Sequence, residues 1–554
     1  MCRSLLIAAF GFVTASGYAS DDLAQETEPP FERLISMLRS SDAVIPPSVE
    51  GYPVANVYNR EGVVPPQCYT KTEGHFNACY VCHQSPIEDR ENVMNDIGLQ
   101  IAYSFSDLGM TNHWKNLFED RTERVAQIGD EEIKEYVNED NYSELAPRLE
   151  EAGFEGWIPD LKDLQLGAEA FGDEGFAKDG SMWVAFNYKP MPSTFWPTNG
   201  STDDVMIRLP EIYRSDKDGN VSLDVYKANL SILEAAIKGF SEIESLPIDE
   251  VKVGFDLDGD GVMGVAHRVE RRDTYLGGAA GYKVYAHLYP EGTEFLHTVR
   301  YLAVDEEGQV GISRRMKEVR YMRKWRAYAK PIYARQYQLE AFEKEAGHLP
   351  GYQDIGDYGL DNGNGWAIHG FIENGEGRLR SSTFEENFFC MGCHNSIGST
   401  IDKTFSFGRK VDGAKGWSYI NLKGMPDAPN IGEVVGEFET YLERVGGGSE
   451  FRNNEEMRQR WFKADGSLDR EKVRAAEDLN ELIVPSVARA LLLNKAYKTI
   501  VEDQDFIYGR DATVTPPANV YDKVDNETTP TLPGGRVFQW NILLDWDGKQ
   551  ASTD

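Results

Sequence analysis

Basic residues, cysteine and long apolar runs are all scarce in this chain of 554 residues. Lys and Arg number 57 against 91 Asp and Glu, and the net charge of −34 argues against nucleic acid and anionic membrane surfaces as partners. Such acidity suits a basic partner protein, and it also serves plain solubility. Beyond the first twenty residues no stretch is long and apolar enough for a membrane helix, so no membrane span is expected and the mature protein should be soluble. One short motif occurs twice; otherwise there is no internal repeat and no low-complexity tract. Cysteine is the most telling scarcity, because four of the six are spent in one arrangement.

The N-terminus holds the one apolar run of note. "MCRS" gives a basic start, "LLIAAFGFV" an apolar run, and "TASGYAS" small residues before an acidic stretch, the layout of a signal peptide over 1–20. Cys2 would leave with it, and its position does not suit a lipoprotein cleavage site. The length exceeds that at which single cores stop growing, so two or three subdomains are expected.

The repeated motif is "FNACYVCHQSP" (76–86) and "FFCMGCHNSIG" (388–398). Two thiols one turn apart, followed at once by histidine, form the C-x-x-C-H attachment site of a covalent haem, in which the thiols meet two vinyl groups and the imidazole lies beneath the iron. The alternatives are a zinc site built from Cys79, Cys82, Cys390 and Cys393, or a redox-active disulfide; neither accounts for the adjoining histidines. On these residues the sequence resembles the dihaem c-type cytochromes. The resemblance implies two covalently bound haem c groups, with thioethers at Cys79, Cys82, Cys390 and Cys393 and His83 and His394 as proximal iron ligands. It implies export, with the periplasm as location and the cell exterior as alternative. It further implies electron transfer between periplasmic redox partner proteins. The alternative is a peroxidase- or oxygenase-like oxidoreductase with one transfer haem, one catalytic haem and a small-molecule substrate, similar in plan to bacterial dihaem cytochrome c peroxidases. No catalytic residue carries over from that family. With two motifs in so long a chain, most of the protein serves something other than holding haem.

The expected fold class is α+β, with two largely helical or irregular haem regions flanking a β-containing middle. The divisions are an N-terminal haem region (21–140), a middle section (141–305), a second haem region (306–445) and a helical C-terminal region (446–554). Strands are expected in "DVMIRLP", "YKVYAHLYP" and "TEFLHTVRYLAV", and a long helix over 314–347, kinked at Pro331. Helices are also expected in "DREKVRAAEDLNELIVPSVARALLLNKAYKTIV".

Further constellations stand apart from the motifs. Asp256, Asp258 and Asp260 followed by Gly261 open like a calcium loop, although His267 occupies the place of the usual twelfth-position glutamate, for which Glu270 is a substitute. An acidic turn without metal is the alternative. The segment 314–335 carries nine Lys or Arg; on a helix, Arg320, Arg323 and Arg326 would share a face and meet propionates, or the charges would pair with neighbouring carboxylates. Cys68 is expected to be buried. His297 and His369, between aromatic and apolar neighbours, are candidate sixth iron ligands, with Met110, Met191, Met322 and Met425 as rivals. Phe295, His297 and Val299 should share one strand face, where His297 meets either iron or a buried carboxylate.

Overall fold

The structure, a computed structural model, describes residues 64–87, 90, 96–105, 109–194, 196–346, 353–394 and 397–547. The signal segment and Cys2 lie outside the described residues. Among the described residues ten strands run in chain order: β1 (Val184–Ala185), β2 (Thr202–Arg208), β3 (Glu242–Asp249), β4 (Val265–Glu270), β5 (Glu294–Val304), β6 (Val310–Lys324), β7 (Gln353–Asp354), β8 (Leu360–Asp361), β9 (Trp366–Glu373) and β10 (Leu379–Ser381). Eight of them form an antiparallel sheet in the order β1-β2-β5-β6-β9-β8-β7, with β10 also on β9, while β3 and β4 make a separate hairpin. Among the helices are α1 (Asp130–Asn138), α2 (Leu223–Lys238), α3 (Lys330–Glu345), α4 (Phe384–His394) and α5 (Val487–Asp503). The α+β class is therefore correct.

The period of two along β5 separates two layers of core. Phe295, with Met322 and Ile368 from its neighbours, packs toward α2. Leu296, Tyr321 and Phe371 pack on the opposite face with Trp183, Leu145 and Leu149. In register, His297 stands between Val205 of β2 and Arg320 of β6, and Tyr321 lies beside His369 of β9. The pairing of β5 with β6 shifts near Val299 and Arg300, a bulge that lets two successive β6 residues, Lys317 and Glu318, reach the same cavity. Helix α2 starts where the Ser222 hydroxyl accepts from the Val225 amide (3.3 Å) and stops at Gly239, whose φ of +76° is left-handed.

The structure corrects three expectations drawn from the sequence. The basic segment is not a helix from 314: it continues β6 to Lys324, and helix α3 begins only at Lys330 with Pro331 in its first turn, where proline starts a helix rather than kinking it. "YKVYAHLYP" is loop and turn, not strand. The division at 305/306 falls between β5 and β6, neighbours in one sheet, and Pro46–Asp554 form one compact unit. The N-terminal motif region is likewise joined to the C-terminal segment, through bridges of Thr70 with Val520 and Thr111 with Lys523.

Candidate functional site

The first motif sits on a short 3-10 turn, Cys79–Val81. The amides of Cys82 (3.2 Å) and His83 (3.0 Å) both donate to the Cys79 carbonyl, winding two thiols and an imidazole around one turn. The His83 carbonyl accepts from Gln100 Nε2 (2.8 Å) and Trp540 Nε1 (3.1 Å). Its Nδ1 lies 3.5 Å from Asp96 Oδ2. Burial alone would raise the Asp96 carboxyl, but His83 and the Lys344 ammonium at 3.3 Å outweigh it and hold the group at about 2.

The second motif ends helix α4. Cys390 and Cys393 are three apart and His394 is four from Cys390, so all three share one helix face. The His394 carbonyl accepts from Asn362 Nδ2 (2.9 Å), while its Nδ1 is buried with no hydrogen-bond partner. Burial, aided by Arg320 and His297, takes this imidazole down to about 3, so it is neutral with a lone pair available.

The two motifs meet. Cys82, Cys390, Cys393 and His394 line one chamber of about 190 Å³. The Cys82 thiol is raised by burial first and then by Cys393; Cys68 responds to burial and then to Cys79 and Cys393 in the same way. All five described cysteines are free, and Cys68 is half-buried. Burial pushes Cys79 and Cys393 up to about 11, the opposite of the lowered value a reactive thiolate needs. Cys390 and Cys393 also sit at the C-terminal end of their helix, whose dipole disfavours a thiolate. Zinc fails on distance: among the described residues, Glu250, Asp256 and Asp258 form the one group of three or more ligand atoms within 4.8 Å of one another.

His297 borders the chamber from the same face of β5 as Phe295 and Val299. Its Nε2 stands 3.0 Å from Asp203 Oδ2, which also accepts from the Tyr188 hydroxyl; the arrangement is the carboxylate pairing. His369 is corrected as a ligand of this chamber, because it lies one residue out of phase, on the other face of the sheet. There its Nε2 pairs with Ser381 Oγ (2.9 Å) between Phe154 and Phe371, and burial takes it to about 4. Met191 and Met322 line the chamber, whereas Met425 belongs to a separate core.

Because their segment is a strand, Arg320, Arg323 and Arg326 do not share a face. Arg320 faces the chamber, held at 2.9 Å by Glu318, which Arg510 also approaches at 2.9 Å. Arg323 opens on a different cavity, and Arg326 lies past the strand end over Trp325. Sequence reasoning missed Lys317 and Asp511 of the chamber wall. Burial lowers Lys317 to about 7 and raises Asp511 to about 6; distant in sequence, they carry no local signal.

At the acidic loop, Glu250 joins Asp256 and Asp258, and Asp260 does not: its carboxylate accepts from the Val262 amide (2.7 Å). Asp256 accepts from the amides of Gly259 (2.8 Å) and Gly261 (2.9 Å), and Glu250 from Leu257 (2.6 Å) and Gly264 (2.8 Å).

A family model described as a "-like lipoprotein" matches residues 53–480. The chain belongs to this lipoprotein family. An uncharacterized lipoprotein of Aquifex aeolicus (strain VF5) is 32% identical over 551 residues, covering 88% of this chain and 92% of that protein. No solved structure matches. These findings correct the expected place among dihaem c-type cytochromes. The electron-relay and peroxidase-like functions fall with it, since both rested on that placement. Membership of a lipoprotein family places the protein outside the cytoplasm. No helix among the described residues is long and apolar enough to cross a membrane.

Proposed function

We propose that this lipoprotein-family chain is an exported, periplasmic holding protein that carries two covalently attached haem groups, at Cys79 and Cys82 with His83, and at Cys390 and Cys393 with His394. The family description names no cofactor, so the reading rests on the residues. What supports it is the approach of Cys82 of the first motif to Cys390, Cys393 and His394 of the second in one chamber, with thiols that are free and too dispersed for zinc. The donor set fits. Asp96 beside His83 Nδ1 leaves Nε2 for iron, and His394 offers a neutral buried imidazole. Bound there, haem supplies a redox-active iron. The chain's own residues hold, orient and screen it: Arg320 and Arg510 share Glu318, leaving a net positive wall suited to a propionate.

The acidic surface suits a basic partner protein. Calcium belongs to the same reading as a secondary ligand, at Asp256 and Asp258 with Glu250 in place of Asp260. Intact mass tests the cofactor. The mature chain should exceed its polypeptide by two haems, and colour should resist acid-acetone. A mass equal to the bare polypeptide overturns the reading.

A further inference from the structure

A second cavity, of about 980 Å³, shares no lining residue with the chamber. It opens between the loop 275–292, the end of β6 and the turn at Tyr358. Its volume is at the upper end of the ~300–1,000 Å³ usual for ligand sites. Aromatic rings dominate its walls. Tyr282 is 51% exposed, Tyr285 54% and Tyr358 38%, a large aromatic area for water to cover. Two of these rings pack against other aromatic rings of the same wall: Tyr282 lies 5.8 Å from Tyr213, itself edge-on to Tyr275 at 4.8 Å, and Tyr358 lies 4.7 Å from Trp157. Such rings keep their faces in place before any ligand arrives.

Charged groups of both signs border the rings. Lys283 and Glu291 are exposed, and Arg323 stacks over Trp157 at 5.2 Å. Aliphatic lining is sparse, consisting of Ile212, Leu288 and Ile355 beside the prolines and Ala327. An acyl chain would call for the reverse. A cage for a quaternary ammonium would be narrower and would not place Lys283 and Arg323 at its rim. Flat rings interleaved with donors and acceptors match a pyranose, whose C–H faces stack on aromatic rings while its hydroxyls pair with charged groups. We propose that this cleft binds an oligosaccharide of several units, with Tyr282, Tyr285 and Tyr358 as stacking platforms and Glu291 and Arg323 as hydroxyl partners. The proposal is independent of the haem reading.

Titration calorimetry of the full chain with cellohexaose and chitohexaose, alongside tryptophan fluorescence, tests it. At least one probe should give saturable binding. The double variant Tyr282→Ala/Tyr358→Ala should bind about tenfold more weakly or worse. Tyr282→Phe, which keeps the ring, should stay within about threefold of the parent. Absence of saturable binding with both probes overturns the proposal, as does unchanged affinity in the double variant; an unaltered far-UV spectrum confirms that these exposed positions leave the fold intact.

Discussion

Glu318→Gln should cost about 3 kcal/mol at neutral pH. Glu318 is 3% exposed and carries two guanidiniums, Arg320 and Arg510, each at 2.9 Å. Burial would raise its carboxyl, but the two arginines outweigh burial and bring it from 4.5 to about 2. That depression corresponds to roughly 3 kcal/mol favouring the charged, folded form. Removing one partner from a buried ion pair costs about 3–5 kcal/mol by the independent route of stranded charge, and the two figures agree. Because the folded value is depressed, the contribution is present in full above pH ~4.5 and disappears as pH falls through about 2. Urea unfolding followed by tryptophan fluorescence, run on parent and variant from pH 7 down to 3, measures it. The gap between the two proteins should hold from pH 7 to about 4.5 and narrow below that. Equal midpoints at pH 7, or a gap that widens in acid, would refute the electrostatic account of this wall.

Cys390→Ala/Cys393→Ala should reduce the added mass from two haems to one, while His394→Ala should alter the spectrum with the mass addition kept. His297→Ala should leave the haem spectrum unchanged, since its Nε2 is engaged by Asp203; conversion of one haem to high spin would place His297 on iron instead. Calcium should raise the melting temperature of chelator-treated protein, and Asp256→Asn should abolish that rise whereas Asp260→Asn should not, because Asp260 stands outside the carboxylate group.

Strand β5 was legible because its alternation is clean: Phe295, His297 and Val299 face one way, Leu296 and Thr298 the other. Its neighbour β6 was not, although it is just as buried. Charged residues fill both of its faces, and many find partners far along the chain: Arg315 pairs with Glu373 (2.6 Å), Glu318 with Arg510 (2.9 Å) and Lys324 with Asp402 (2.7 Å). A local window sees only a basic run and reads a solvated helix face. The loop at 282–290 failed in the opposite sense, since its tyrosines suggested a strand while they line a cleft. His297 and His369 have similar local surroundings; sheet register alone puts one at the chamber and the other behind it. At the acidic loop Asp256 and Asp258 converge as the sequence pattern suggests and Asp260 does not, while Glu250, the carboxylate that joins them, precedes the motif and was invisible to a pattern that begins at Asp256.

The chamber also constrains the order in which the proposed cofactor and the fold come together. The backbone around Cys79 and Cys82 is tied to elements from the far end of the chain. Trp540 donates to the His83 carbonyl, and Gln100 spans that carbonyl and the backbone of Phe538. Thr70 and Thr111 bridge to Val520 and Lys523. Both thiols are half-buried, and burial raises them, which leaves little thiolate to react unaided. On the proposed haem reading, attachment at the first motif would come before docking of the C-terminal segment. The second motif follows the same logic, because Cys390 is 3% exposed on α4 and Arg320 belongs to a sheet that must already be assembled around it. On that reading the ligand would become part of the core that the last hundred residues close over, a physical reason for two short motifs to be embedded in so long a chain.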